Sequence, residues 1–419
     1  MDSHVESVGS GSSSASAFSA KWSKKTVLVA GVGAVLAVIG AAVAGKDGGF
    51  AKQFGYSYLL AFMFFLSLCL GGLFLTVIHH LFDASWSVPV RRLTEHLACL
   101  APVLFLLFIP IMVLAKSIYP WMSLDPANDH ALMAKQPLFT MGGWYGISIL
   151  LFVIWTILSF RLRGSSVAQD SNGAAIYTLR NRVNAAWGII AFAFTLTMGA
   201  ILWMKSLEHQ WFSTMYGVYY FAGSVWTTLA TLYVLALILK RAGPLALVAQ
   251  RRQFHDIAVL FYAFTVFYAY IHFSQYFIIW NGGMPEETFY YVQRESGSWW
   301  GICMLIVFGH FLVPFLAMAR IDAKLNPAIA VPVCLWAWVM HYCDMSFNVM
   351  PILRPKNFEL TLADIGCWLF IGGVLATVWL KSLAKYPAYP LKDPRLGEAL
   401  GIHFHDDSEH DHPAAKAVK

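Results

Sequence analysis

Ten long apolar segments without a single lysine or arginine constrain this chain more than any other feature. They are residues 27–44, 56–80, 97–115, 144–160, 183–204, 215–239, 257–280, 299–319, 328–350 and 362–380. Most of them approach the roughly 20 residues that a helix needs to cross a hydrocarbon core about 30 Å thick. Because a charge at the bilayer centre costs at least about 2.5–3.5 kcal/mol, this absence of cations predicts transmembrane helices.

The composition excludes a soluble globular protein. Only 12% of the residues are charged and the mean hydropathy is +0.60, whereas soluble domains carry roughly 25% charged residues. The apolar runs are continuous, whereas membrane-spanning strands would show short alternating stretches. We therefore predict an all-α integral membrane fold with about ten transmembrane helices over residues 26–381.

The distribution of the 29 Lys and Arg residues predicts an orientation. Ten spans put both termini on one side, and most of these cations fall in the termini and loops of that side. The positive-inside rule then places both termini in the cytoplasm. Because the cations are scattered through loops, the net charge of +6 does not indicate a nucleic-acid partner.

The two ends of the chain differ in composition from the spans. Residues 1–25 are rich in Ser, Gly and Ala and are predicted to be a disordered cytoplasmic terminus. Residues 382–419 are predicted to be a cytoplasmic tail, rich in histidine between His403 and His412. A solvated tail is the favoured interpretation, and a divalent-metal site is the alternative.

The six cysteines all fall within spans and form no CxxC pair. Small buried hydrophobic side chains are the simplest interpretation. We predict no structural metal site and no iron–sulfur cluster held by this chain alone.

Five polar residues are expected at similar depth in the outer leaflet. His272 and Gln275 lie one turn apart on one face of the seventh span. His341 and Asp344 share a face of the ninth span, and Asp364 lies near the outer entrance of the tenth. A His–Asp pair there could accept the two protons that a quinol loses on oxidation. We predict a quinol and proton site at these five residues.

A second polar group is expected at the cytoplasmic edge, where it could form a proton entry path. Its members are His79, His80, Asp83, Glu95, His96, His255 and Asp256. His310, near the middle of the eighth span, could join the two groups. Interfacial solvation is the alternative for each residue. Paired histidines can also ligate haem, with His272, His310 and His341 as candidates, but no pair is spaced along one helix as two stacked haems require.

Three stretches carry a resemblance to a known family. They are residues 79–92 (HHLFDASWSVPVRR), 206–217 (SLEHQWFSTMYG) and 267–281 (FYAYIHFSQYFIIWN). With these strings the chain resembles the F subunits of alternative complex III, a bacterial quinol:cytochrome c oxidoreductase. That family is related to the polysulfide-reductase-type (NrfD-like) membrane anchors, which pack two four-helix bundles plus flanking helices.

The resemblance implies a place in the bacterial inner membrane and in a multi-subunit respiratory complex. The implied partners are a multihaem cytochrome c subunit, an iron–sulfur subunit, a sister ten-helix membrane subunit, small membrane subunits and lipid. Haem c and iron–sulfur clusters would belong to the partners. This chain would be a subunit without a redox cofactor of its own, with quinol or quinone as its small-molecule ligand and a proton path through its polar residues.

Two other function classes stay open at this point. Secondary transporters often carry matching helix breaks in their two halves; here Pro314 and Pro332 interrupt spans, but they form no matching pair. The third interpretation is a passive membrane scaffold.

Overall fold

Ten long helices make up most of this protein. The structure, a computed structural model, describes residues 2–45 and 49–402. Within these residues the long helices are α1 (Asp2–Ala44), α2 (Phe50–Leu81), α3 (Ser85–Val113), α4 (Met141–Asn172), α5 (Ala175–Trp203), α6 (Tyr216–Ala242), α7 (Arg251–Gly282), α8 (Trp299–Met318), α9 (Pro327–Ile352) and α10 (Leu362–Lys385). All ten are long and apolar enough to span a membrane, and the described residues contain no strand. The predicted all-α membrane fold is confirmed.

The helices pack as two groups of four with two flanking helices. Helices α2, α3, α4 and α5 contact one another, as do α6, α7, α8 and α9. Helices α1 and α10 pack together against α2, and α2 also packs against α6. Helix α2 is buried along nearly its whole length because all three groups surround it. We call the end where α1 begins and α10 finishes the inner end, and the opposite end the outer end.

Helix α3 begins much earlier than the predicted start at Leu97. It opens with a turn at Ser85–Ser87, continues through Val88–Ala98, breaks at residues 99–100 and resumes as Ala101–Val113. Arg91 and Arg92 lie inside it and are fully buried. The prediction was wrong because these cations are paired within the protein and need no solvent.

Helix α8 contains a π-helical turn, Ile306–Leu312. Pro314 follows it, has no N–H to donate, and would clash with the carbonyl of residue 310 in an α-helix. The wider turn accommodates the proline. It also carries His310, and π turns occur frequently at functional sites.

The chain ends are folded further than predicted. In the segment predicted to be disordered, Ala15 is buried and Ser19 Oγ donates to the Leu380 carbonyl at 2.8 Å. After α10, residues 386–402 fold back under the inner end, where Leu391 N donates to Asp170. Small side chains pack the N-terminal segment against α10, and paired charges hold the C-terminal segment at the inner end. Both segments are therefore part of the folded domain. The His-rich segment from residue 403 lies outside the described residues.

A seam of small residues joins the antiparallel helices α1 and α10. Cβ atoms added at Gly33, Gly40 and Gly366 would each lie 2.2–2.3 Å from a backbone nitrogen of the other helix. Small residues allow this close approach, which gives dense packing where hydrophobic burial offers little between helices in lipid.

We expect Gly33→Ala to destabilise the protein. Its Cβ would lie 2.3 Å from Phe370 N, so backbones must separate, at a typical overpacking cost of about 1–3 kcal/mol. The control is Gly31→Ala on the same helix, where a Cβ meets nothing within 4 Å and the gain in helix propensity acts alone. The midpoint temperature at which monodisperse protein is lost on heating in detergent measures the stability of both variants. Equal midpoints for the two variants would contradict the close seam.

Candidate functional site: two buried polar clusters

The outer cluster centres on Asp344 of α9, whose side chain is fully buried. Tyr219 of α6 donates a short hydrogen bond to Asp344 Oδ1, and Tyr268 of α7 donates to the Tyr219 oxygen at 3.4 Å. Asp344 Oδ2 has no partner among the described residues. Helices α6, α7 and α9 thus bring one carboxyl group and two phenols together, with one oxygen left to accept a further hydrogen bond.

Asn348 extends this cluster one turn outward. Its Nδ2 donates to the Tyr219 oxygen at 2.9 Å and to the Asp344 carbonyl at 2.8 Å. Its Oδ1 accepts hydrogen bonds from Tyr216 at 2.9 Å and Tyr290 at 3.0 Å. A single amide therefore holds three tyrosines and the α9 backbone in fixed positions.

Arg294 covers the outer end of the cluster. It ends the loop helix Pro285–Arg294, pairs with Glu208 at 2.9 Å, and lies 3.4 Å over the Tyr290 ring. That ring stacks on Trp211 with centroids 3.8 Å apart. Although burial alone would lower it, the Glu208 carboxylate raises the pKa of Arg294 above its ordinary value. The guanidinium stays charged and its contacts close the cluster to the outer surface.

A lateral cavity of about 720 Å³ lies between α7 and α8. Aromatic and aliphatic side chains form most of its wall, and the hydroxyl, imidazole and carboxyl groups that line it belong to Tyr268, Tyr270, His272, Tyr276, Tyr291 and Glu295. The His272 ring lies 5.5 Å from the Tyr219 ring and 5.8 Å from the Tyr268 ring, centroid to centroid. The inner wall of the cavity therefore adjoins the Asp344 cluster.

Two further histidines lie at mid-depth behind Tyr268. His310 is stacked between Trp226 at 3.8 Å and Tyr268 at 3.7 Å, and neither ring nitrogen has a partner among the described residues. His341 Nε2 contacts Ser67 Oγ at 2.9 Å. The other ring nitrogen of His341, Nδ1, makes no hydrogen bond to any described residue. The described residues form no group of three or more His, Cys, Asp or Glu suited to a metal ion.

The structure brings three of the five predicted outer residues, His272, His341 and Asp344, around one cluster. Gln275 lies one turn farther out, accepting from Ser213 and donating to Tyr291, both at 2.9 Å. Asp364 lies apart. It caps α10 by accepting from Thr361 N, pairs with Arg354 at 3.0 Å, and accepts from Ser57 at 2.5 Å. Its predicted membership of the outer site is corrected, because these bonds give it a structural role elsewhere.

The inner cluster is built around two buried guanidinium groups. Arg91 pairs with Asp393 at 2.6 Å and Arg92 with Asp170 at 2.7 Å, while Glu95 lies 3.4 Å from both arginines. Although burial opposes it, Arg91 and Arg395 hold the pKa of Asp393 well below its usual range. The cluster thus joins α3, α4 and the segment after α10.

Three histidines line this inner cluster. His80 Nε2 lies 3.9 Å from Glu95, His79 packs edge-on against Trp86, and His96 lies 6.0 Å from the Tyr386 ring. All three are almost fully buried, and within the described residues their ring nitrogens make no hydrogen bonds.

Of the remaining residues predicted for the inner group, one joins the inner cluster and two lie apart from it. Asp83 contacts Arg182 and Arg395, so it joins the edge of the cluster. His255 and Asp256 are partly exposed on α7 and contact each other at 3.3 Å, apart from the buried groups. Solvation at the interface accounts for that pair better than a shared inlet.

Several residues of both clusters were missed from the sequence. They are Tyr216, Tyr219, Tyr290, Arg294 and Asn348 at the outer end, and Arg91, Arg92, Asp170, Asp393 and Arg395 at the inner end. Polar side chains inside apolar spans would have found Tyr216, Tyr219 and Asn348, since such groups need partners. The i, i+3 and i, i+4 spacing of Arg92 and Arg91 to Glu95 was a second signal.

We expect Asp393→Asn to destabilise the protein by about 3–5 kcal/mol, the usual cost of removing one partner of a buried ion pair. Because the folded pKa lies below the unfolded value, this contribution is complete above about pH 4 and is lost as the pH falls further. The variant should therefore lose stability at neutral pH and show weaker acid sensitivity. Thermal midpoints in detergent across pH measure this.

Asp322→Asn is the matched control for that variant. Asp322 pairs with Arg320 at 3.5 Å, but both side chains are more than four-fifths exposed. Exposed pairs contribute little, so its midpoint should stay near that of the unmodified protein. Equal midpoints for the two variants would show that the inner cluster does not stabilise the fold.

Comparisons with known proteins leave both clusters unassigned. No protein-family model matches this chain, and no curated protein matches it. The roles of these residues are therefore argued from their geometry and chemistry.

Proposed function

We propose that this chain is a membrane subunit of a respiratory quinol:electron-acceptor oxidoreductase of the alternative complex III type. In this proposal it supports quinol oxidation at its outer end and conducts protons through its buried polar residues. The observation that carries the proposal is the lateral cavity of about 720 Å³ whose wall includes His272 and Tyr268, beside the buried carboxyl group of Asp344.

The cavity suits a quinol in size and chemistry. Its volume falls in the range of about 300–1,000 Å³ that small-molecule sites occupy. A quinol has a flat ring with two hydroxyl groups and an apolar tail, which match aromatic walls with a few polar side chains. A cavity among membrane-spanning helices also lies where lipid-dissolved quinol is found.

Oxidation of one quinol releases two protons and two electrons. In the proposal His272 accepts a hydroxyl proton, and the phenols of Tyr268 and Tyr219 relay protons to Asp344. The haem c and iron–sulfur groups of partner subunits would accept the two electrons. Removal of a proton by a placed base contributes about 10²–10⁴-fold to such rates.

The proposed proton route continues along α6. Ser224, Thr227, Thr228 and Thr231 are buried on this helix, and each hydroxyl donates to the carbonyl four residues earlier. Helix α6 contacts both α9, which carries Asp344, and the inner part of α3, which carries Glu95. It therefore joins the outer and inner clusters, as does α2, which carries His79 and His80 and whose Ser67 contacts His341 at 2.9 Å.

The proposed setting is the bacterial inner membrane, with the inner end of the bundle facing the cytoplasm. The multihaem cytochrome and iron–sulfur subunits would bind at the outer end, and the sister ten-helix subunit and small membrane subunits beside the bundle. The concentration of Lys and Arg at the inner end supports this orientation.

We expect Asp344→Asn to lower the turnover of quinol oxidation by about 10²-fold with little change in KM, because the proton acceptor is lost while the cavity keeps its shape. Asp256→Asn, at the exposed inner edge, is the control and should turn over normally. The measurement is steady-state quinol oxidation by the complex purified from native membranes.

Mass spectrometry of each preparation shows which subunits co-purify. A multihaem cytochrome and an iron–sulfur protein are expected with both variants. Normal turnover of Asp344→Asn in an assembled complex would contradict the role of Asp344 as a proton acceptor. Recovery of the unmodified chain alone would contradict its place in such a complex.

The proton route has its own test in reconstituted vesicles. His79→Gln removes an inner histidine whose ring nitrogens have no partner within the described residues. We expect fewer protons moved per quinol oxidised, with uncoupled turnover unchanged, since quinol binds at the other end. His255→Gln is the control. An unaltered proton-to-electron ratio in the His79 variant would exclude this residue from the route.

A further inference from the structure

A second pocket lies at the inner end between α4 and α5. Its volume is about 480 Å³, and it is lined by Phe160, Arg161, Gly164, Ser165, Ala168, Tyr177, Arg180 and Asn184. It lies where the two helices approach the expected membrane surface. No part of the proposed quinol or proton site includes these residues.

The rim of this pocket carries two cations without counterions. Among the described residues, neither Arg161 nor Arg180 has a carboxylate within ion-pair distance. Their neighbour Arg182, by contrast, pairs with Asp83. Within the described part of the chain, the only ring contact of Arg161 and Arg180 is that of Arg180, which lies 5.6 Å over the Tyr177 ring that lines the pocket. The pocket therefore holds two free positive charges and no acid in its lining.

The floor of the pocket offers polar groups that have no protein partner. The side chains of Ser165 and Asn184 are more than nine-tenths buried and make no hydrogen bond to any described residue. An occupant that supplies acceptor oxygens would satisfy both groups.

An apolar surface continues from the pocket toward the membrane centre. On α4 it consists of exposed Val153, Ile157 and Phe160, and on α5 of exposed Val183, Trp187 and Ile190. Both sets have the i, i+4, i+7 spacing that places residues on one helix face. Such a surface fits two acyl chains directly beneath a charged headgroup.

We propose that this pocket binds the phosphate headgroup of an anionic phospholipid in the leaflet at the inner end. The arginines neutralise the headgroup, Ser165 and Asn184 donate to its oxygens, and the apolar stripes hold its chains. Basic pockets between transmembrane helices are suited to such headgroups. Free phosphate shares the headgroup chemistry but makes no use of the apolar stripes, so the lipid is the favoured source.

Native mass spectrometry of the purified, delipidated protein tests the proposal, with phosphatidylglycerol and phosphatidylcholine of identical acyl chains as probes. We expect one phosphatidylglycerol to be retained selectively. Arg161→Gln/Arg180→Gln should weaken it about 25-fold, since each nearby cation contributes about fivefold. Arg252→Gln/Arg320→Gln removes two cations from the same end and should retain the lipid. Both of its arginines already contact aspartates.

A second variant separates the headgroup contacts from net charge and folding. Ser165→Ala/Asn184→Ala keeps both arginines and should also reduce phosphatidylglycerol retention, with an unchanged thermal midpoint. Equal retention of the two lipids, equal loss in the control variant, or displacement by millimolar inorganic phosphate would each overturn the lipid assignment. The outcome does not depend on quinol turnover, so it stands or fails separately from the proposed function.

Discussion

The guanidinium groups of Arg91 and Arg92 depend on carboxylates from three elements, two of which are distant in the sequence. Glu95 lies one turn along α3, Asp170 lies near the end of α4, and Asp393 follows α10. Removing one partner of a buried pair costs about 3–5 kcal/mol. Helix α3, helix α4 and the C-terminal segment are therefore held together at the inner end, which fixes the first bundle against the flanking helices.

The outer cluster is held differently, and that difference bears on its chemistry. Around Asp344 the hydrogen bonds come from phenols and an amide, and hydroxyl hydrogens can rotate to new acceptors without movement of the heavy atoms. At the inner cluster, by contrast, each carboxylate is paired with at least one buried guanidinium group. A proton can thus be exchanged at Asp344 at little structural cost, whereas protonation of Asp393 or Glu95 would weaken the packing. In the proposed route this leaves the inner histidines as the exchangeable groups.

The sequence predicted what depends on hydrophobicity and depth. The number of helices followed from cation-free windows, and the shared depth of His272 and Asp344 followed from residue counting along two spans. Counting gives no angular position around the bundle, so Asp364 was grouped with them although Arg354 and Ser57 hold it elsewhere. Its position three residues after Thr361 fits a capping box, a local signal that outweighed the depth argument.

Helix α3 shows the other limit of sequence-based inference. The rule that charged residues mark the end of a span assumes that charges need water, and it placed Arg91 and Arg92 in a loop. Asp393, the main partner of Arg91, lies 302 residues away. No local pattern could reveal that pairing, because it exists only after the chain folds back beneath the inner end.

Helix α6 runs between the outer and inner clusters and carries the groups of the proposed proton path. Gly223 lies where a Cβ would come within 3.3 Å of His341 Cε1 and 3.8 Å of Tyr268 Cε2, so its backbone passes directly between two residues at the edge of the outer cluster. From there its hydroxyl groups continue inward in a column. Each is bonded to its own helix but keeps oxygen lone pairs to accept a proton. Helix α8 carries His310 but lacks a comparable column, since after His310 its span ends in VPFLAM. The proposed proton path between the clusters therefore follows α6, with His310 acting beside it through its stacked contacts with Trp226 and Tyr268.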